Sequence, residues 1–306
     1  MRLFILFTVT MAFYLLNSDR QDNSFSFLGN QDQAPLFTFG VFADAQYCDC
    51  EPSGTRFYRN SYMKMEEALN LFKEVKPDFI INLGDLIEKD FSSFAPLMKM
   101  IEKSGLKVYH VPGNHDFSVE QKYKKRVLPL LCGKNGYYSF VHNSFRFIVL
   151  NGNEISTYGP GTKSQVKEAE EYIERLKAEG EPNFHDWNGG TGKGQTAWLK
   201  SELDASAAAG EKVFILCHFP VWPENEHNMF NYREIIEILK NYSNIIAWFS
   251  GHNHTGNYGN THMIHFVNFK GMVETENQNS FAIIEVYGNK IWIKGYGRER
   301  SMILAY

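Results

Sequence analysis

Five apolar, strand-like runs along this chain each end in residue types that bind metals. Residues 39–43 lead into Asp44 and Gln46, residues 79–84 into Asp85, and residues 108–113 into Asn114, His115 and Asp116. Further on, residues 213–217 lead into His218, and residues 245–251 into His252 and His254. Between the first three runs, Tyr58, Met65, Leu69 and Phe72 recur at helical spacing, as do Phe94, Met98 and Ile101. Strand, helix, strand, helix, strand therefore fills residues 37–112, and such alternation pairs the strands parallel. In open α/β sheets the loops after strand carboxyl ends gather polar groups around a ligand, so five loops can converge on one place.

The residue types narrow what those loops would hold. Asp44, Gln46, Asp85 and Asn114 offer carboxylate or amide oxygen, and His218, His252 and His254 offer imidazole nitrogen, with no thiolate among them. Such a set suits divalent manganese, iron or zinc. Seven donors exceed what one tetrahedral zinc takes, so two divalent cations sharing a carboxylate is the simpler account, with Asp85 as the expected bridge. Gln46 tilts the choice toward manganese, because a neutral amide oxygen is a harder donor than an imidazole nitrogen.

Each residue also has an ordinary reading. Asp or Asn after Gly is commonly turn chemistry, and a His after an apolar run is more often a hydrogen-bonded strand end than a ligand. His110, His142, His185, His227, His262 and His265 are read that way, or as surface residues. What sets the ordinary reading aside for the others is their joint order along one chain.

Asp44-x-Gln46, Gly84-Asp85, Gly113-Asn114-His115-Asp116, Cys217-His218 and Gly251-His252-Asn253-His254 resemble the five motifs of the calcineurin-like metallophosphoesterases. Within that superfamily the chain is most similar to the manganese-dependent ADP-ribose/CDP-alcohol diphosphatases, whose first motif also carries Gln where most relatives carry His. Matching stretches include Phe57-Tyr58-Arg59-Asn60-Ser61, Trp187-Asn188-Gly189-Gly190, Gly256-Asn257-Tyr258 and Gly271-Met272-Val273-Glu274-Thr275, and the likeness runs from about residue 37 to the C-terminus. The resemblance implies a four-layer α/β/β/α domain with two facing mixed sheets. It implies one ion held by Asp44, Gln46, Asp85 and His254, and another by Asp85, Asn114, His218 and His252. In such sites a water between the ions loses its proton near neutral pH and attacks phosphorus in line. His115 would stand beside the ions, protonating the departing oxygen or holding a phosphate oxygen. A carboxylate should orient its ring: Glu88 occupies the place where relatives often put one, and Asp116 is the competitor.

Composition bounds the rest. At 43% hydrophobic and 15% aromatic over 306 residues, the chain is globular and long enough for one large α/β core. A net charge of −4 argues against a nucleic-acid surface. Attraction for phosphate must then be local, from the ions and a few basic side chains, Arg59 first. Tyr47 and Tyr258 are candidates for stacking on a base, set against ordinary packing. Asn188 and Gly189 are candidates for cradling a phosphate, set against an ordinary loop. Cys48, Cys50, Cys132 and Cys217 suggest no disulfide framework, and Cys48-x-Cys50 lacks the second pair a zinc site needs.

The apolar run over residues 3–16 falls short of the about 17–25 residues of a membrane span and reads as an export signal within residues 1–18. A retained membrane anchor is the alternative. Residues 19–36 read as a polar tether and 37–306 as the phosphoesterase-like body. Within that body, residues 137–141 and 145–150 form a hairpin, residues 164–179 a charged helix inserted at the surface, and residues 195–203 another helix. Residues 263–267, 280–287 and 290–296 read as strands that finish a second sheet.

The expected activity is hydrolysis of the phosphoanhydride in a nucleoside diphosphate joined to ribose or to an alcohol, a small-molecule substrate. A broader phosphomonoesterase or phosphodiesterase with the same ions is the alternative. A non-enzymatic metal-binding descendant is disfavoured by the completeness of the motifs.

Overall fold

The computed structural model describes residues 34–306, so the expected export signal and most of the expected tether lie outside the described residues. Strands β1 (Phe37–Phe42), β2 (Phe79–Asn82) and β3 (Val108–His110) pair parallel, joined by α1 (Ser61–Val75) and α2 (Phe94–Ser104). Helix α1 stops where Lys76 turns left-handed (φ 56°) and α2 where Gly105 does (φ 71°), each turn sending the chain back toward the sheet. Phe72 of α1 packs directly onto β1 at Gly40, where a Cβ would stand 2.7 Å from the ring.

On the other edge of β1 the expected topology is corrected. Strands β10 (Ser280–Val286) and β11 (Lys290–Gly297) do not finish the second sheet. They lie antiparallel beside β1, with β12 (Met302–Ala305) outermost, giving the order β12-β11-β10-β1-β2-β3. Successive strand residues face opposite ways, and in β10 both faces are apolar. Phe281 and Ile283 pack toward the helices, while Ala282, Ile284 and Val286 pack toward the second sheet. Such a strand needs cover on both sides, which the position next to β1 supplies.

The second sheet contains β4 (Tyr138–His142), β5 (Phe145–Val149), β6 (Lys212–Leu216), β7 (Ile245–Ser250), β8 (Asn257–Thr261) and β9 (Ile264–Asn268), in the order β4-β5-β6-β7-β9-β8. Parallel pairing from β5 to β9 is flanked by the hairpins β4–β5 and β8–β9. Both hairpins turn on two residues of positive φ, Asn143 and Ser144 (46° and 62°) and His262 and Met263 (52° and 63°). That geometry matches the twist of the strands it joins.

Between the sheets lies a core rich in phenylalanine. Phe39 stacks on Phe79 at 5.3 Å, Phe147 on Phe214 at 5.0 Å, and Phe79 meets Phe147 edge-on at 5.2 Å. Burying each such ring stabilises the fold by about 1.5–3 kcal/mol. Helices α1, α2 and α3 (Gln121–Leu131) cover the outer face of the first sheet. Helices α5 (Lys193–Ala208) and α6 (Tyr232–Leu239) cover the second through Leu199, Leu203, Ile235 and Leu239. The four-layer α/β/β/α architecture with two mixed sheets is the one expected. Helix α4 (Lys163–Glu179) begins at a capping box formed by Thr162 and Gln165. It packs Ala169 and Leu176 into a separate small cluster with Ile155 and Phe230. No helix among the described residues is long and apolar enough to cross a membrane.

Candidate metal centre

The five loops converge as their order along the chain suggested. Asp44 and Gln46 follow β1, Asp85 follows β2, Asn114 and His115 follow β3, His218 follows β6, and His252 and His254 follow β7. Asp44, Gln46, Asp85 and His252 hold φ values of 52°, 44°, 53° and 70°. Non-glycine residues take this left-handed region sparingly, and several together at one site mean that the surrounding fold holds them there. The backbone before Asn114 and before His252 makes room for the other expected ligands. A Cβ on Gly113 would lie 2.1 Å from Asp85 Oδ1, and one on Gly251 would lie 2.5 Å from Asp44 Oδ2.

Outer partners decide which ring nitrogen of each imidazole faces the centre. His218 Nδ1 lies 2.8 Å from the Leu83 carbonyl, which can only accept, so Nδ1 carries a proton and Nε2 is the nitrogen turned toward the centre. His254 Nδ1 likewise donates to Glu274 Oε1 at 2.7 Å. His252 uses its other nitrogen, because its Nε2 lies 2.9 Å from Asn188 Oδ1. Asn188 Nδ2 already donates to the carbonyls of Asn183 and Glu226 at 3.1 and 2.7 Å, so its oxygen must accept and His252 keeps its lone pair on Nδ1. Partners of this kind fix the tautomer and raise the basicity of metal-binding imidazoles. The loop bearing Glu274 is itself anchored: the buried Lys64 ammonium donates to the carbonyls of Met272, Glu274 and Thr275 at 2.9, 2.9 and 2.6 Å.

The centre is consequently a buried cluster of carboxylates and imidazoles that calls for positive charge. His218 Nε2 lies 3.3 Å from Asp85 Oδ2 and 3.0 Å from Asn114 Oδ1, and His254 Nε2 lies 3.3 Å from Asp44 Oδ1. Donor atoms of Asp85, His218 and His252 all fall within 4.8 Å of one another. Burial opposes a charged ring at His218 and His254, yet Asp85 and Asp44 respectively outweigh it and lift both pKa values to about 9, so with no cation bound Nε2 of each ring holds a proton that a cation would displace. Burial, with His218 and His227 nearby, pushes His252 well below its ordinary value and leaves it neutral. Burial also opposes the charge on Asp85, but His218 and His115 overcome it and hold the carboxyl well below the usual range. Gln46 Nε2 lies 3.1 Å from Asp85 Oδ2 and 3.2 Å from His254 Nε2, and its buried Oε1 has no partner among the described residues, so turning the amide over would bring that oxygen to a cation. An acceptor-rich, oxygen-and-nitrogen set with an orphaned amide oxygen fits hard or borderline divalent cations.

His115 sits at the rim of this cluster with its Nδ1 2.9 Å from Glu88 Oε2, an ion-pair distance at which neither atom makes a well-aligned hydrogen bond among the described residues. Burial lowers the ring's basicity, but Asp85 and Glu88 outweigh it and its pKa lies above the ordinary value. Asp116, the competing orienter, is corrected. Its carboxylate accepts from the backbone amides of Leu86, Ile87 and Gly113 at 2.9, 3.3 and 2.9 Å, so it shapes the loops and leaves His115 to Glu88.

A cavity of about 340 Å³ opens over the centre, between Asp85, Asn114, His115, His252 and His254 on its floor and Arg56, Trp187 and His227 on its walls. The substrate contacts expected from the sequence are placed elsewhere. Arg59 is exposed and tied to Asp49 and Glu51 at 2.5 and 2.7 Å, while Arg56 reaches the cavity. Tyr47 packs against Tyr62 at 5.8 Å, and the Tyr258 hydroxyl lies 3.0 Å from His265 Nδ1; neither lines the cavity. Asn188 is fully buried as the partner of His252. Gly189 serves close packing instead of a phosphate cradle, since a Cβ there would stand 2.3 Å from the Gly152 carbonyl oxygen. Sequence reasoning assigned no role to Arg56, Trp187 or Glu274 and read His227 as an ordinary residue. Glu274 and Trp187 lay inside stretches matched to the family, which is the signal that could have found them.

A family model for calcineurin-like phosphoesterases matches residues 37–256. The chain belongs to the calcineurin-like phosphoesterases, metal-dependent hydrolases of phosphate esters. More particularly, it is 30% identical to a manganese-dependent ADP-ribose/CDP-alcohol diphosphatase of Xenopus laevis, over 90% of this chain and 92% of that protein. The Arabidopsis thaliana protein of the same name is also 30% identical, over 90% of this chain and 98% of its own. A crystal structure of a dimetal phosphatase from Danio rerio superposes with a TM-score of 0.81 over 89% of this chain and 99% of that one, at 23% identity, and shares its fold.

Proposed function

We propose that this protein hydrolyses the phosphoanhydride bond of nucleoside diphosphates joined to ribose or to an alcohol, with two divalent cations, manganese foremost. The observation that carries the reading is the set of three imidazoles whose outer nitrogens are engaged, which turns His218 Nε2 toward Asp85 and His254 Nε2 toward Asp44 and leaves Nδ1 as the open nitrogen of His252. Asp44, Gln46, Asp85 and His254 would hold one cation, and Asp85, Asn114, His218 and His252 the other. When bound, such a pair lowers the pKa of water and neutralises charge on the attacked phosphate.

The rest of the work falls to the chain itself. His115 has Nδ1 engaged by Glu88, so its Nε2 is the nitrogen available to protonate the departing phosphate oxygen. Arg56, half exposed on the cavity wall and 3.8 Å from Glu274, supplies a fixed positive charge for the phosphate that is not attacked. Similarity along 90% of the chain to proteins named ADP-ribose/CDP-alcohol diphosphatases supports the substrate class. Residues 3–16 support export from the cytoplasm through their short apolar run; fractionation of cells expressing the full chain and a version lacking residues 1–18 checks this.

A panel of ADP-ribose, CDP-choline, CDP-glycerol, a cyclic nucleotide and p-nitrophenyl phosphate, each with manganese, tests the reaction. Release of a nucleoside monophosphate from the diphosphates is the expected result. Turnover confined to the monoester or the cyclic nucleotide overturns the substrate class and leaves the broader phosphoesterase reading, while absence of all turnover overturns both.

A further inference from the structure

Trp187 is 41% exposed, an unusual state for the largest aromatic side chain, and its open surface lines the cavity above the metal centre. The ring is nonetheless held. His185 stacks on it at 3.9 Å with planes 8° apart, and Phe184 stacks behind His185 at 4.7 Å, so one face is covered and the accessible area belongs to the other face and the edges. Its backbone is tied to the chemistry as well. The next residue, Asn188, is fully buried, pinned to Asn183 and Glu226, and bonded to His252. The platform and the metal centre are therefore parts of one rigid unit, with the ring carried by the residue immediately before the partner of His252.

A flat, backed aromatic surface at a fixed place beside a phosphate-processing site suits a planar base. Stacking is tolerant of which base it receives, because each base presents a π-face, and a rigid aromatic loses little freedom when it binds. Resting on the phosphoanhydride reading above, we propose that Trp187 is the base-stacking platform of this protein and its specificity-determining residue for nucleotide over base-free phosphate esters. A quaternary ammonium such as choline could also sit on an indole face, but it is present in only some of the proposed substrates, whereas the base is common to all.

The test compares the full chain with W187F and W187A, loaded with manganese. On ADP-ribose, CDP-glycerol and CDP-choline, W187A should lower kcat/KM by roughly 5–150-fold, the range for removing one aromatic stacking partner, mainly through KM. W187F should recover most of it, and phosphate release from ribose 5-phosphate, which has no planar ring to stack, should fall by a smaller factor than diphosphate turnover in both. A second readout needs no turnover: in metal-free protein, AMP and CMP should quench a component of indole fluorescence that ribose 5-phosphate does not, and W187F should lack it. Equal losses on all substrates, base-free ester included, would make Trp187 merely structural and overturn the proposal. A loss confined to CDP-choline would transfer the role to the alcohol's cation and overturn it too. Wild-type protein quenched by AMP and CMP but inactive on every nucleoside diphosphate would overturn the reaction reading while upholding the platform. Undiminished diphosphate turnover in W187A, with no quenching in the wild type, would do the reverse.

Discussion

The two sheets contribute unlike halves to the metal centre. The oxygen donors Asp44, Gln46, Asp85 and Asn114 all follow β1, β2 and β3 of the first sheet, and the imidazoles of His218, His252 and His254 all follow β6 and β7 of the second. Neither half is complete. The contacts that join them cross from one sheet to the other: Asp85 to His218, Asp44 to His254, and the His252 amide to Asp44 at 3.1 Å. The halves meet because the phenylalanine core packs the sheets face to face, so packing energy is what places acid beside imidazole. Cations held there would clasp the two sheets, and binding to the native state alone would stabilise it by mass action, about 2.7 kcal/mol at a hundredfold excess over Kd.

The largest break in this arrangement is D85N, which removes the carboxylate shared across the halves. Cation content and activity should fall together, by more than the roughly 10–100-fold that loss of an outer partner costs, and added manganese should no longer raise the Tm. Elemental analysis showing two equivalents in D85N would refute Asp85 as the bridge. H115A leaves both halves intact and should keep its cations while slowing turnover by roughly 10²–10⁴-fold; loss of metal in this variant would instead make His115 a ligand.

A smaller effect is expected from E274Q, which weakens the hold on His254 Nδ1 without touching a donor of the first sheet. Manganese titration should report affinity lowered by roughly 10–100-fold at one of two sites. Equal weakening at both would show that the halves do not act separately. Smallest is E88Q. Glu88 helps raise the pKa of His115, and the protonated ring is the acid, so activity is lost as pH rises through that pKa. Removing the negative charge should move the alkaline limb of the kcat/KM profile to lower pH, and an unmoved limb would assign orientation of the ring to another group.

Much of this was legible along the chain because the chemistry-bearing residues sit directly after strands, where local apolar runs announce them. The parallel start of the first sheet and the charged helix α4 were visible for the same reason. Helices α3 and α6 and strands β8 and β12 went unread. The α6 helix is only eight residues long and β12 only four, too short for periodicity to speak. The placement of β10 and β11 depended on which sheet edge was free, which no local pattern encodes. Arg59 and Arg56 differ by three residues and look alike in sequence; Asp49 and Glu51 occupy the first, and the second faces the cavity.

The sequence by itself determined the order and chemistry of the donors, because ligand type is a property of each side chain and strand ends are locally marked. Only the tertiary structure decided which nitrogen each imidazole offers, which carboxylate serves His115 and which side chains wall the cavity. Those depend on partners far away in the chain, such as Glu274 for His254 and Asn188 for His252, brought within hydrogen-bonding distance by the packing of two sheets.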